Sequence, residues 1–356
     1  MTTSAPIAAE IPIDGVLQAD IIIIGAGIAG LFAAHNLPAE LSVIVVDKGS
    51  PTRSGSSPWA QGGMAVAVDP SDSPELHTAD TMLAGDGLCD LEAVRVLTSE
   101  APERLAELIA LGAEFDALDP TRPPTIDNLH LAREGAQTAA RSVHRADATG
   151  AEMVRALRVA VAPRVRRLQG QVVQLGRSEA GHVAGVWVLY EDRVLEVRGR
   201  AVLLATGGCG GIFAATTNQD GATGDGVVLA HHAGAAVRDL AFVQFHPTGL
   251  AAEGNWRFLL SEALRGAGAT LHDADGHRFM FDFHPAGELA PRHVVASAIL
   301  AQTDGRAWLD ATHLGAQALE REFPTVLRGA RELGYDLATE RAPVTPAAHY
   351  LVGGVR

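Results

Sequence analysis

The sequence predicts an α/β protein built on a parallel β-sheet, and three apolar stretches carry this prediction. Residues 21–24 are four isoleucines that lead into a glycine-rich turn and a helical segment, and residues 41–46 form a second apolar run. Strand, tight turn, helix and strand in this order make a βαβ unit, whose two strands are parallel. The third stretch, AVLLA at residues 201–205, predicts a further buried strand that again runs into glycines.

The segments between these strands predict loops, helices and a meander. Residues 54–63 (SGSSPWAQGG) contain too much Gly and Ser for regular structure and predict a loop. Residues 90–112 predict two amphipathic helices, with Pro102 opening the second, and residues 150–161 predict another helix. Residues 171–200 alternate in polarity, which is typical of an antiparallel meander.

The domain organisation follows from changes in composition along the chain. Residues 1–18 predict a flexible tail, and residues 19–239 predict the domain that contains the parallel sheet. After residue 240 His, Phe and Pro become frequent and strand patterns fade, which predicts an inserted α+β domain over residues 240–345. A Pro-rich link at 343–346 predicts that residues 346–356 return to the first domain.

Composition excludes several classes of function. The net charge is −14 and the pI is near 5.4, so we expect neither nucleic acid nor an anionic membrane surface as a partner. The two cysteines, Cys89 and Cys209, give no disulfide framework and no metal-ligand spacing, which predicts a reducing cytoplasm and no metal. Glycines interrupt the apolar stretch 21–34 and no basic residues precede it, which argues against a signal peptide or membrane span.

A glycine motif follows the first strand and predicts a Rossmann-like dinucleotide site. The first glycine allows the tight turn, the second lets a pyrophosphate approach the backbone, and the third lets the helix pack on the strand. Asp47 ends the second strand, where an acid would bind a ribose hydroxyl. A purely structural glycine turn is the alternative. The residues of the motif are Gly25, Ala26, Gly27, Ile28, Ala29 and Gly30.

The glycine motif alone does not choose between NAD and FAD. Two further loops are rich in Gly and hydroxyl residues, so their backbone N–H groups can bind a second phosphate or a flavin ring. The candidate cofactor residues in these loops are Ser56, Ser57, Ala60, Gln61, Gly62, Gly63, Ala205, Thr206, Gly207 and Gly208.

A set of ordered motifs resembles the succinate dehydrogenase and fumarate reductase flavoprotein family. The motifs are GAGIAG, SGSSPWAQGG, LLATGG, TGDG, FHPTGL, SEALRG, ELAPR and PAAHY…GG, and they extend from Asp20 to Val355. The resemblance implies a Rossmann-like FAD-binding domain with an inserted capping domain that holds the substrate. Within the family the motifs are most similar to the branch that oxidises L-aspartate to iminoaspartate, the first step of quinolinate and NAD biosynthesis.

The resemblance also implies how FAD is held. Covalent members of the family carry a flavin-bonded histidine at a position that is Ser56 in this chain, so we expect non-covalent FAD. It adds Lys48, Val172 and Asp225 to the cofactor contacts, although an Asp between glycines is also a common turn former. Electrons would pass to O2 or fumarate.

The substrate residues are likewise implied by the resemblance. Glu134 in HLAREGAQ would face the substrate ammonium group, since an anion discriminates an amino dicarboxylate from a plain one. Arg292 would hold a carboxylate or transfer a proton, and the first role fits the high pKa of arginine better. Ordinary surface or packing roles are the alternative for each residue. The remaining catalytic candidates are His246, Ser261, Glu262 and His349.

Three positions depart from the family pattern. The family has glycine and histidine where this chain has Ala136 and Gln137, and it has an acid where this chain has His293. A soluble fumarate reductase and a non-catalytic remnant of the fold therefore stay open as alternatives.

The resemblance further implies a chain that is truncated at its C-terminus, with the C-terminal helical domain absent and part of the FAD contacts missing. Weaker FAD binding and exposed apolar surface are then expected. The expected partners are a small dicarboxylate or amino-acid substrate and, by pathway, quinolinate synthase.

Overall fold

The computed structural model describes residues 13–49, 55–252 and 257–356. The strands are β1 (Ile13–Gln18), β2 (Ile21–Ile24), β3 (Val43–Asp47), β4 (Met64–Ala65), β5 (Leu131–Ala132), β6 (Ser142–Val143), β7 (Val165–Gln169), β8 (Gln171–Arg177), β9 (Val183–Tyr190), β10 (Arg193–Arg198), β11 (Ala201–Leu204), β12 (Val237–Arg238), β13 (Val243–Leu250), β14 (Thr270–His272), β15 (Ala307–Asp310), β16 (Ala342–Leu351) and β17 (Gly354–Val355). The helices are α1 (Ile28–Asn36), α2 (Pro74–Ala84), α3 (Leu91–Ala110), α4 (Thr149–Val161), α5 (Asp225–His232), α6 (Glu262–Gly266), α7 (Met280–Phe283), α8 (Arg292–Leu300), α9 (Ala316–Glu322) and α10 (Pro324–Glu332).

A parallel sheet in the order β11-β2-β3-β7 confirms the predicted βαβ unit. Its two central strands, β2 and β3, are almost entirely buried, as continuous Ile and Val runs are when both faces of a parallel sheet are covered. Helix α1 connects them, and α4 packs against α1. The glycine turn therefore lies at the carboxyl end of β2, where open α/β sheets bind ligands.

The predicted meander is confirmed, but one prediction about the tail is wrong. Strands β8, β9 and β10 pair antiparallel, and β1 adds to β10 in parallel. Residues 13–18 are therefore a strand rather than flexible tail, because they satisfy the backbone groups on the free edge of β10. Residues 1–12 lie outside the described residues.

The prediction of two helices separated at Pro102 is also wrong. Helix α3 runs continuously through this proline. Its buried residues Val94, Thr98, Leu105 and Leu108 form one stripe on both sides of Pro102. Burying this stripe stabilises the single helix against the backbone hydrogen bond that the proline removes.

A second group of elements surrounds an antiparallel sheet with the strand order β13-β16-β15-β14. Its hydrophobic cluster is drawn from residues 250–344, separate from the clusters around the parallel sheet. The proline link expected at 343–346 lies instead inside β16, which pairs with both β13 and β15. The irregularity in the β13 pairing between His246 and Gly249 accommodates Pro346, since a proline cannot donate to the ladder. The predicted domain boundaries themselves stay a prediction.

The final residues pair with earlier parts of the chain. Strand β17 is antiparallel to β12, and Thr216 bridges to Ala348 in β16. Within the described ranges, no helix combines the length and the apolar character needed to cross a membrane.

Candidate functional site

A cavity of about 320 Å3 lies where the two groups of elements meet. One end is lined by Ile28 at the start of α1, and the other by residues of β13, α6, α8 and β16. It brings together all of the predicted catalytic side chains and part of the predicted cofactor loop. The predicted residues that line it are Ile28, Ser56, Ser57, Ala60, Gln61, Gly62, Gly63, Glu134, His246, Ser261, Glu262, Arg292 and His349.

The glycine turn is held by close backbone packing. Gly25 has a φ of +107°, which L side chains rarely adopt, and a Cβ there would collide with the carbonyl group of Ala205. A Cβ at Gly30 would collide with the carbonyl oxygen of Gly25. The turn between β2 and α1 therefore needs glycine at both positions, as the motif predicts.

Polar groups complete the turn. The carboxylate of Asp47 accepts from the backbone N–H of Ala26 at 3.0 Å and from that of Gly49 at 2.9 Å. The hydroxyl of Ser57 accepts from the N–H of Ile28 at 3.1 Å. The first loop thus sits against the N-terminus of α1, where the helix dipole favours negative charge.

The cavity fits a cofactor with hydrogen-bonding ring edges. The Oε1 atoms of Gln61 and Gln219 are buried and have no hydrogen-bond partner among the described residues. Both glutamines line the cavity. Buried polar atoms normally have partners, so the side chains present suit a group that donates hydrogen bonds.

Other predicted cofactor residues lie outside the lining of this cavity. Lys48 Nζ contacts Asp225 Oδ2 at 2.6 Å and Thr223 Oγ1 at 2.8 Å. Burial raises the pKa of Asp225, but hydrogen bonds from Lys48 and Thr223 bring it below its ordinary value. Val172 is buried in a hydrophobic cluster. Their contacts with a cofactor stay a prediction, as do those of Ala29, Thr206, Gly207 and Gly208.

A chain of charged groups forms the centre of the cavity end that holds the predicted catalytic side chains, here called the catalytic end. Arg292, the first residue of α8, donates through Nε to Glu262 Oε2 at 2.5 Å and through Nη1 to Gln244 Oε1 at 2.9 Å. Glu262 also lies 3.9 Å from Arg265, which is fully buried. Burial raises the pKa of Glu262, but Arg292 and Arg265 bring it below its ordinary value. Glu262 is therefore a carboxylate between two guanidinium groups.

Glu134 lines the same cavity, close enough to Glu262 and Arg292 for their charges to act on its carboxyl group. Its Oε1 accepts from the backbone N–H of Gly63 at 3.3 Å. Burial and the nearby charge of Glu262 raise the pKa of Glu134, against the N–H of Gly63, which lowers it. The next residue, Gly135, donates its N–H to Glu262. The two carboxylates are thus linked through one backbone turn.

The departure at Gln137 has a structural role. Gln137 Oε1 accepts from the N–H of Glu134 at 2.9 Å, and its Nε2 donates to Ser142 at 3.1 Å. The side chain therefore holds the turn that presents Glu134. Ala136, in the same turn, has a φ of +64°, a conformation that favours glycine.

Two histidines from adjacent strands line the cavity, with ring centroids 5.1 Å apart. His246 on β13 accepts at Nδ1 from the N–H of Thr248 at 3.2 Å. His349 on β16 lies 2.6 Å through Nδ1 from the hydroxyl of Thr217. Burial, together with Arg292, lowers the pKa of His246 well below its ordinary value and that of His349 to about 3. Both imidazoles are neutral at physiological pH.

The last predicted residues are placed as follows. Ser261 caps α6, where its Oγ accepts from the N–H of Ala263 at 3.3 Å, so its O–H hydrogen stays available to donate. His293 is exposed on α8 and does not line the cavity.

Several residues of the site were missed by sequence reasoning. Arg265 lies within the SEALRG motif and is close to Glu262. Gln244 directly precedes the FHPTGL motif and accepts a hydrogen bond from Arg292. Neither residue was predicted to belong to the site. Thr217 carried no signal, because it becomes a neighbour of His349 only through the tertiary fold. Also missed was a buried ion-pair network, in which Arg141 binds Asp72 at 2.9 Å and Asp80 at 2.8 Å.

The family follows from comparison with known proteins. A family model described as FAD binding domain matches residues 20–356. The chain belongs to this FAD-binding family. The cofactor prediction, FAD, is thereby confirmed, whereas the absence of a covalent bond stays a prediction.

Curated relatives are similar over nearly the whole chain. L-aspartate oxidase of Nostoc sp. is 44% identical over 353 residues, covering 95% of this chain and 59% of the relative. L-aspartate oxidase of Streptomyces coelicolor is 47% identical over 372 residues, covering 99% of this chain and 63% of the relative. The chain thus spans about three fifths of the length of these relatives.

Solved structures confirm the predicted fold class. E. coli quinol fumarate reductase FrdA superimposes with a TM-score of 0.86 at 31% identity, covering 96% of this chain and 62% of that one. Mycobacterium smegmatis Sdh1 superimposes with a TM-score of 0.77 at 31% identity, covering 96% of this chain and 60% of that one.

Proposed function

We propose that this chain carries the cofactor and substrate sites of an L-aspartate oxidase, which converts L-aspartate to iminoaspartate with FAD as cofactor. The observation that carries the proposal is that Glu134 and Arg292 line one cavity together with His246 and His349. L-aspartate has one ammonium group and two carboxylates, so it needs an anion and several cationic or N–H donor groups together. The names of the curated relatives support the same reading.

The proposed binding site for the two substrate carboxylates consists of neutral hydrogen-bond donors and one cation. His246 and His349 would each donate an N–H, Ser261 would donate its hydroxyl, and Arg292 would supply the charge. Since Arg292 Nε and Nη1 are bound to Glu262 and Gln244, the guanidinium is fixed in one orientation before substrate arrives. Such preorganisation lowers the cost of orienting the substrate.

Glu134 would bind the substrate ammonium group. Its pKa is raised by burial in the free protein, and an incoming cation would favour the carboxylate form. Glu262 would hold Arg292 in place as a carboxylate, with Arg265 stabilising its negative charge. When bound, FAD accepts the hydride that leaves the substrate Cα.

The residues that would hold FAD are those of the glycine turn and the first loop. Ile28 and Ser57 lie at the phosphate-binding end, and Gln61 and Gln219 offer unpartnered buried oxygens in the same cavity. Ser56 lines the cavity at the position where covalent members carry histidine, which supports a non-covalent cofactor.

A soluble fumarate reductase is the second candidate, because the similarity to FrdA extends over 96% of this chain. The two functions differ in the need for an ammonium partner. Electrons would pass to O2 or fumarate in the first case. The same proposal places the protein in the cytoplasm, with its product consumed by quinolinate synthase.

The substitution Glu134→Gln separates the two candidates. We expect kcat/KM for L-aspartate to fall about 100-fold, equivalent to about 2.7 kcal/mol, because a buried charge partner of the ammonium group is lost. Oxidation of succinate by the same variant is the internal control and should change little. Steady-state rates with both substrates are the measurement, and equal losses on both would contradict the amine-binding role.

A further inference from the structure

Thr217 is held beside His349 by contacts that do not use its hydroxyl. Its backbone N–H donates to the carbonyl of Ala348 at 3.1 Å, and Ala348 in turn donates to Ala215 at 2.9 Å. The neighbouring Asn218 Nδ2 donates to the carbonyl of His349 at 2.8 Å. The segment 215–218 therefore runs alongside β16, whatever the side chain at position 217.

The hydroxyl hydrogen of Thr217 has two possible acceptors. The carbonyl oxygen of Ala348 lies 3.4 Å from Oγ1 and already accepts from Thr217 N and from Thr216 Oγ1, each at 3.1 Å. His349 Nδ1 lies at 2.6 Å. A carbonyl has two lone pairs, so the shorter contact takes the hydrogen. Nδ1 is then an acceptor, and the ring proton of a neutral imidazole resides on Nε2.

The second histidine of the cavity, His246, also accepts a hydrogen bond at Nδ1, but from a backbone donor. His246 Nδ1 accepts from the backbone N–H of Thr248, which no side-chain substitution at 248 removes. Neither Nε2 atom has a hydrogen-bond partner among the described residues, and both histidines line the cavity. The two neutral rings thus present N–H donors to the same space, one set by the backbone and the other by a threonine.

We propose that Thr217 is a positioning residue that fixes the ring of His349 with its proton on Nε2, so that this atom donates to a substrate carboxylate. This inference rests on the proposed dicarboxylate site. Thr217 belongs to the loop before α5 and His349 to β16, so the hydrogen bond also ties the cofactor-side elements to the substrate-side sheet.

The substitution Thr217→Val tests the proposal, because it removes the hydroxyl and keeps both the shape and the backbone bonds. In the FAD-loaded protein we expect KM for L-aspartate to rise about tenfold, equivalent to about 1.4 kcal/mol, with kcat nearly unchanged. Thr217→Ser keeps the hydroxyl and should restore KM. A purely packing role would instead leave Thr217→Val, which keeps the shape, with a normal KM and would impair Thr217→Ser, which loses the methyl group.

Imidazole 15N NMR gives a readout that does not depend on turnover. We expect wild-type His349 to show a hydrogen-bonded, unprotonated Nδ1 and a protonated Nε2, and Thr217→Val to lose the hydrogen-bond shift at Nδ1. A wild-type spectrum with the proton on Nδ1 would overturn the proposal even if the variant did not fold, and so would an unchanged KM. Titration with succinate separates the two claims: failure of wild type to bind it contradicts the dicarboxylate site, while the 15N spectrum still decides the role of Thr217.

Discussion

The geometry of the two ends of the cavity is fixed by different kinds of contact. At the glycine turn, contiguous small residues let backbone atoms approach closely, and the geometry is set by the absence of side chains. At the catalytic end, Glu134, Glu262, Arg292 and His349 come from four distant segments and are set by charge pairs and hydrogen bonds. A substitution that adds atoms is therefore expected to disrupt the glycine turn. At the catalytic end, the effect of a substitution depends on which charged or hydrogen-bonding partner is left unpaired.

The largest effect is expected from Gly30→Ala at the glycine turn. The added Cβ would collide with the carbonyl oxygen of Gly25, and backbone cannot move aside as a side chain does. We expect a loss of at least about 3 kcal/mol in the free energy of unfolding, with loss of FAD binding. Urea unfolding and FAD fluorescence quenching measure the two effects.

Gly112→Ala is the matched control for this prediction. Gly112 has a φ of +85° but open space around its would-be Cβ, so only conformational strain of about 1 kcal/mol is expected. Equal losses for Gly30→Ala and Gly112→Ala would show that close approach is not what the glycine turn requires.

A smaller stability effect but a large catalytic one is expected from Glu262→Gln. The amide keeps the shape but leaves Arg265 and Arg292 without a carboxylate, which should cost about 2 kcal/mol in unfolding free energy and about 100-fold in kcat. The pKa of Glu262 is lowered in the folded state, so its contribution is present above the ordinary pKa and is lost as pH falls. The variant should therefore show a flatter stability profile on the acid side.

Glu288→Gln is the control for Glu262→Gln. Glu288 is also buried and pairs with an arginine, Arg278, at 2.7 Å, but it does not line the cavity. We expect a comparable loss of stability with kcat unchanged. A drop in kcat of the same size in both variants would assign the effect to general loss of packing.

The smallest effect is expected from Ala136→Gly in the turn that carries Glu134. Relief of the left-handed backbone strain, about 1 kcal/mol, is partly offset by the greater freedom of glycine in the unfolded chain. The net gain should be about 0.5 kcal/mol in thermal or urea unfolding. Asp304→Gly, at a φ of +57° away from the cavity, should gain less because Asp tolerates this conformation. A loss of stability in Ala136→Gly would contradict the strain argument.

Short sequence patterns predicted the elements whose residue types are characteristic of one secondary structure. The βαβ unit and the meander follow from runs of Ile and Val and from alternation, and both are present. The errors occurred where distant contacts decide. Pro102 lies inside α3 because one buried stripe continues past it, and the prolines of β16 lie in a central strand because β13 and β15 cover both edges.

The sequence by itself determined the parallel sheet and the glycine turn, because contiguous motifs encode them. The side chains that meet in the cavity were implied by the resemblance to a known family. Only the tertiary structure decided that Arg292 pairs with Glu262 and that the hydroxyl of Thr217 lies against the ring of His349. Hydrogen bonds and ion pairs between segments more than a hundred residues apart, such as Thr217 and His349, leave no periodic trace in the sequence. They exist only once the sheets have packed and water has been excluded from the site.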